Sequence, residues 1–180
     1  CPHALGLAVP LVAAISTSLG AQSGLLVRDR RGLEEARNLT TVVFDKTGTL
    51  TRGEFRVVEV TTDGSLSAGV ARRVAAAVER DSEHTIAQGI VKSAEEQTLS
   101  IPKAEQFEAI PGHGVRATVE GKEFYMGGPA MLKRLGLTPA AAVREAAERA
   151  ASRGQASVYL LTSKAAVAAF TVADAVRPES

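Results

Sequence analysis

The sequence predicts an α/β fold: a mixed sheet flanked by helices, preceded by an apolar helical segment. Three observations predict it. A β-branched run, Thr41-Val42-Val43-Phe44, ends in Asp45 and a Gly-containing turn. Further along, strand-like runs are interleaved with segments whose apolar residues recur at helical spacing. Ahead of both, residues Ala4 to Ile15 read ALGLAVPLVAAI, with no charge and one proline.

The composition narrows the function classes. The chain has 180 residues, a formal net charge of +1, 45% hydrophobic and 4% aromatic residues, and no Trp. That length usually implies one or two domains. The small net charge and the lack of a sustained basic stripe argue against a nucleic-acid surface. A single cysteine, Cys1, excludes an internal disulfide framework. No Cys/His cluster has zinc-finger spacing. The chain starts with Cys1, shows no signal peptide, and reads as an excerpt from a longer polypeptide.

Taken in order, the apolar start is the first element. A spanning helix needs about 20 apolar residues. Ala4–Ile15 therefore reads either as a buried core helix or as the second half of a membrane helix. The following stretch, 16–37, turns polar and carries Arg28, Arg30, Arg31 and Arg37. A basic cluster beyond a membrane helix marks the cytoplasmic side. Thr41–Phe44 reads as a buried strand. Its Asp45 then sits where open α/β sheets act on ligands. A carboxylate there can attack phosphorus and form an aspartyl-phosphate. Gly48 allows a tight turn close to a phosphate. The plainer alternative is a solvated aspartate at a strand end.

Phe55–Thr61 predicts the next strand. A helix follows from Ser67 to about Arg80, with Val70, Val74, Ala77 and Val78 on its apolar face. A second helix, from about Ser82 to Gln97, carries Ile86, Ile90, Val91 and Ala94, with Ser82 as N-cap. Ala104–Ile110 is a strand, and Pro111-Gly112-His113-Gly114 a tight turn. Val115–Val119 and Glu123–Met126 form a hairpin about Glu120-Gly121-Lys122, with Gly127 and Gly128 at its end. Thr138 and Pro139 open a third helix that runs to Arg153, where Gly154 stops it. Strands Ala156–Thr162 and Ala165–Ala173 complete the set.

The run Asp45-Lys46-Thr47-Gly48-Thr49-Leu50-Thr51 resembles the phosphorylation motif of the P-type ATPases, ion pumps of the haloacid dehalogenase superfamily. The resemblance implies that Asp45 accepts the γ-phosphoryl group of ATP. It implies Lys46 as a nearby cation, Thr47 and Thr49 as contacts to phosphate oxygens, and Mg²⁺ held by Asp45 and the Thr47 carbonyl. Related phosphatases usually carry a general acid where Thr47 stands, so the phospho-enzyme is expected to persist. Cys1-Pro2-His3 resembles the intramembrane metal motif of the heavy-metal pumps, which implies Cys1 and His3 as ligands of a transported copper ion.

The stretch from Glu79 to His84 resembles the Ser-Glu-His-Pro signature of these pumps' nucleotide-binding domain. This implies His84 against the adenine ring and Glu79 in contact with it, although Thr85 replaces the proline. The plainer reading of His84 is a capping or surface histidine. Gly112-His113-Gly114 resembles the second nucleotide motif, with Gly127 bordering the nucleotide. His113 itself reads as solvent-exposed.

The resemblance covers essentially the whole chain and divides it. Residues 1–20 are the C-terminal half of a transmembrane helix with the metal motif, and 21–39 a juxtamembrane linker helix. Residues 40–53 begin a haloacid-dehalogenase-like phosphorylation domain, 54–162 form an inserted α+β nucleotide-binding domain, and 163–180 return to the phosphorylation domain. The expected protein is an integral copper-translocating ATPase of a bacterial or archaeal plasma membrane. Residues from about 21 onward would be cytoplasmic, with ATP and copper as partners, lipid contact through the apolar start, and no nucleic acid. Motifs that complete the catalytic centre in pumps, including Gly-Asp-Gly-x-Asn-Asp, do not occur in the sequence. The 180-residue chain is therefore expected to bind ATP without turnover. A phosphatase with a cap domain and a non-catalytic nucleotide-binding module are the other classes. Thr47 and the apolar start count against the phosphatase.

Overall fold

The computed structural model describes residues 2–177, which fall into two compact units divided between Phe44 and Asp45. The first unit is helical. Helix α1 (Pro2–Gln22) is continuous through Pro10. At 1.5 Å per residue it is about 30 Å long, the thickness of a bilayer's hydrocarbon core. Leu5, Leu7, Val9, Leu11, Val12, Ile15 and Leu19 are all at least half exposed, so the helix is not buried among the described residues. By length and composition, His3–Gln22 can cross a membrane by itself. Helix α2 (Arg30–Ala36) starts at Asp29, whose carboxylate accepts from the Arg31 amide at 2.9 Å.

The expected buried strand at Thr41–Phe44 is not formed. Those residues belong to no strand or helix, and Val42, Val43 and Phe44 are exposed. A strand exists only through hydrogen bonds to a neighbour. Among the described residues of this unit there is no strand to pair with.

In the second unit a single π-helical turn, Lys46–Leu50, leads into β1 (Thr51–Thr62). Helices α3 (Ala68–Glu79) and α4 (Thr85–Glu96) follow, then a meander of β2 (Ala104–Ile110), β3 (Gly114–Val119) and β4 (Lys122–Gly127). Helices α5 (Pro129–Leu135) and α6 (Ala141–Ser152) precede β5 (Ala156–Leu161) and β6 (Ala166–Val176). The sheet order is β1-β6-β5-β4-β3-β2.

The α/β class holds, but every pairing is antiparallel where a mixed sheet was expected. The cause lies in the connections. The two-helix link α5–α6 returns the chain to the end of the sheet it left, so β5 runs against β4. β2–β3, β3–β4 and β5–β6 are joined by short turns, while the first and last strands, β1 and β6, pair antiparallel at one side of the sheet.

Alternate side chains of the central strands enter two cores. Met126, Leu160, Phe170 and Val172 pack with Val74, Val78 and Ile90 of α3 and α4. Tyr159, Leu161 and Ala169 pack with Met131, Leu132 and Val143 of α5 and α6. The helix caps follow local chemistry with two exceptions. Ser67 caps α3 as expected, its hydroxyl accepting from the Val70 amide at 3.3 Å. His84, not Ser82, caps α4. Helix α6 starts after Ala140 rather than Thr138, because Ala140 is itself still extended. Val70 lies at the partly exposed edge of α3 rather than on its buried face.

Candidate functional site

A cavity of about 510 Å³ opens where β4 and β5 part company. Their ladder runs from Tyr125↔Leu161 to Gly127↔Tyr159. Beyond it β4 turns into α5, and Ala156–Val158 of β5 line the opening. The cavity's other walls are the end of α3, the start of α4 and the turn between β2 and β3. Glu79, His84, Gly112, Gly114 and Gly127 all line this one space.

Glu79 ends α3 and is only 7% exposed. Burial pushes its carboxyl up to about 7, against the opposing effect of a hydrogen bond with Ser82. His84 sits at the N-terminus of α4, where its Nδ1 accepts from the Ile86 amide at 3.2 Å. An accepting Nδ1 carries no proton, which leaves the proton on Nε2.

The three glycines have different causes. Gly114 and Gly127 are register partners on β3 and β4. A Cβ on Gly114 would stand 2.0 Å from the Met126 carbonyl oxygen, and one on Gly127 would stand 2.3 Å from that of His113. Both are required by the close approach of two backbones. Gly112 has φ +73° with open space where its Cβ would be, so conformation alone selects it.

His113 departs from its expected solvent-exposed place. It is half-buried and lines the same cavity, its Nδ1 donating to the Pro111 carbonyl at 2.9 Å. Sequence reasoning also missed the apolar walls, Ile86, Ala87, Met126 and Val158, and the nearby Ser157, whose hydroxyl is buried without a partner. Ile86 and Met126 adjoin singled-out residues and were within reach. Val158 is brought in only by the sheet order. An apolar slot bounded by an imidazole and a carboxyl suits a planar heteroaromatic ring with an amino substituent.

The Asp45 turn is separate from this cavity, whose lining includes none of residues 45–51. Asp45 and Thr49 are exposed, while the side chains of Lys46 and Thr47 lie outside the described residues. Toward Mg²⁺ this turn offers the Asp45 carboxylate and a Thr47 carbonyl, short of a six-coordinate shell unless water and phosphate complete it. Among the described residues, no three His, Cys, Asp or Glu side chains gather as a metal site. Cys1 of the copper motif lies outside the described residues, and His3 is exposed in the first turn of α1.

The sequence profile of the haloacid dehalogenase-like hydrolases matches residues 39–180. A copper-exporting P-type ATPase B of Archaeoglobus fulgidus is 42% identical over 180 residues, which are 100% of this chain and 25% of that protein. Another, from Enterococcus hirae, is 35% identical, covering 100% of this chain and 24% of its own. The chain thus spans about a quarter of the length of these relatives. Among solved structures, a zinc-transporting PIB-type ATPase in its E2.Pi state superposes with a TM-score of 0.67 at 32% identity, over 78% of this chain and 22% of that one. The N-domain of HMA6, a copper-transporting P-type ATPase, superposes at 0.55 with 28% identity, over 67% of this chain and 99% of that domain. By profile the chain belongs to the haloacid dehalogenase-like hydrolase family, and in sequence and fold it is similar to segments of heavy-metal P-type ATPases.

Proposed function

We propose that this chain is the ATP-binding and phosphoryl-accepting segment of a copper-translocating P-type ATPase. The adenine of ATP occupies the cavity between α3, α4 and the ends of β3 to β5. Glu79 accepts from its exocyclic amine, and the His84 imidazole bounds one face of the ring. The backbone at Gly112 and Gly114 approaches the sugar and phosphates. A carboxylate oxygen of Asp45 attacks the γ-phosphorus. The bond from phosphorus to the β,γ-bridging oxygen breaks, and ADP leaves with that oxygen's electron pair. Mg²⁺, when bound through Asp45 and the Thr47 carbonyl, neutralises charge on the transferring group. With Thr47 in place of a general acid, no side chain two residues on activates water against the aspartyl-phosphate.

Copper is the substrate that the curated relatives' names point to, with Cys1 and His3 as its ligands in a spanning α1. The domain division follows: the α1 segment in the membrane, a linker to residue 39, phosphorylation-domain pieces at 40–53 and 163–180, and a nucleotide domain at 54–162. Residues from about 21 onward face the cytoplasm.

The observation that carries this reading is the gathering of Glu79, His84, Gly112, Gly114 and Gly127, drawn from three separate stretches of sequence, around one cavity. Calorimetric titration of the 180-residue chain with ATP tests it. Binding that is lost when Met126→Trp fills the cavity is expected. Unchanged binding in that variant places the nucleotide elsewhere.

A further inference from the structure

The turn that carries Asp45 is not held by a continuous ladder. Thr51 pairs with Val176, and the next register pair is Phe55↔Asp174. Arg52, Gly53 and Glu54 therefore face Ala175 alone. Gly53 adopts φ +72°, a conformation that suits glycine. The bulge separates the turn from the body of the sheet.

Side chains from β6 and its end span that break. The Thr51 hydroxyl accepts from the Gly48 amide at 3.2 Å and donates to the Asp174 carboxylate. Thr51 is only 4% exposed, so this relay is shielded from water. A group that must both accept and donate has to be a hydroxyl. Arg177 reaches three carbonyls of the same short stretch. Its amide donates to Leu50 at 3.0 Å, its Nε to Thr51 at 3.2 Å, and its Nη2 to Gly48 at 3.3 Å. A planar guanidinium suits two separated carbonyl acceptors, which an ammonium on a single nitrogen does not span as well. The partners lie 123 to 129 residues apart in sequence, so the strand leaving the sheet grips the turn that enters it.

We propose that Asp174 and Arg177 are positioning residues for the Asp45 turn. They fix the backbone from Gly48 to Thr51 across the β1 bulge and so set the direction from which the Asp45 carboxylate meets phosphorus. Misplacement of a nucleophile by about 1 Å is enough to slow such a step about a hundred-fold. The catalytic consequence rests on the reading of Asp45 as phosphoryl acceptor; the latch itself does not.

Amide hydrogen exchange on the 180-residue chain tests the latch without nucleotide. In Arg177→Ala and in Asp174→Ala, exchange at Gly48 should rise at least about ten-fold while the β4–β5 ladder keeps its wild-type rates. Unchanged exchange at Gly48 in both variants overturns the proposal. So does equal loosening of the whole β1–β6 ladder, which would make these residues a cap on the sheet. The second arm uses the full-length protein. The rate of acid-stable phosphorylation by ATP should fall at least about ten-fold in Arg177→Ala and recover in part in Arg177→Lys, with half-saturating ATP within about two-fold of wild type. A wild-type rate, or rate and ATP affinity falling together, overturns it. Absence of Asp45-dependent phosphorylation in the wild type instead removes the Asp45 reading and leaves the exchange result to judge the latch.

Discussion

The Nδ1 atom of His84 accepts from the amide of Ile86 at 3.2 Å, so the imidazole that walls the cavity also closes the first turn of α4. The two readings of this histidine, cap and nucleotide contact, are therefore compatible. The cap uses one ring nitrogen and orients the ring, leaving its faces and Nε2 available. It also offsets the missing proline. Thr85 cannot fix the backbone angle at the first helical position, but a capped His84 at φ −69° and ψ 138° enters the helix in the right geometry.

Separating the two roles needs two substitutions. His84→Asn keeps an N-cap and should stay within about 0.5 kcal/mol of wild-type stability, while ATP affinity falls about ten-fold. His84→Ala should lose similar affinity and about 1 kcal/mol of stability as well. His113→Ala should weaken binding less than either. Urea unfolding and calorimetric titration give both quantities. Equal affinity losses at His84 and His113 would remove the special place of His84.

Glu79 predicts a pH dependence. Below its ordinary value of 4.5 the carboxyl is protonated in both folded and unfolded chains. Between 4.5 and about 7 only the unfolded chain has ionised, so stability falls as pH rises. Above about 7 both forms are ionised, and the penalty levels off at up to about 3 kcal/mol. Glu79→Gln should therefore match wild type near pH 4 and exceed its stability at pH 8, as read by urea midpoints. ATP binding should show the opposite sign. An ionised carboxylate accepts from an amine and a protonated one does so less well, so affinity should rise from pH 6 to pH 8 in wild type and stay flat in Glu79→Gln. Affinity falling over that interval would exclude the carboxylate as acceptor.

The glycines separate packing from ligand approach. Gly114→Ala places a methyl 2.0 Å from a backbone oxygen at φ +138° and should cost more than about 3 kcal/mol, breaking the β3–β4 register. Gly112→Ala meets no neighbour and should cost only about 1–2 kcal/mol for its left-handed backbone. A folded Gly112→Ala with weakened ATP binding would show that the backbone there meets the nucleotide. Thermal unfolding followed by titration distinguishes the cases.

What was legible in the sequence was local. Ser67 at a cap, Gly154 in the left-handed region after α6, and Glu120-Gly121 at positive φ between β3 and β4 are choices made by short-range sterics and hydrogen bonding. Helix α5 carried the same kind of signal, with Pro129 at its first position and Gly136 at φ +65° after its end. It was missed because seven residues hold too few turns for an apolar period to show. Thr41–Phe44 failed in the other direction. Its composition favours a strand, but composition cannot supply the neighbour. The site divided along the same line. Glu79, His84 and the turn glycines were readable as motifs. Val158 enters the cavity only through the β4–β5 pairing, and Arg177 meets Gly48 across 129 residues.

The two units make a last prediction. Both hydrophobic cores and every residue lining the cavity lie within 45–180. The exposed apolar side chains of α1, together with Val42, Val43 and Phe44, lie in the first unit. A chain of residues 45–180 should therefore unfold in one cooperative transition and bind ATP within about two-fold of the full chain. It should stay monodisperse without detergent, whereas the 180-residue chain should need detergent or lipid to cover about 30 Å of apolar helix. Light scattering with and without detergent, paired with calorimetric titration, checks both halves. A large loss of ATP affinity on removing residues 1–44 would mean that the first unit contributes to the nucleotide site.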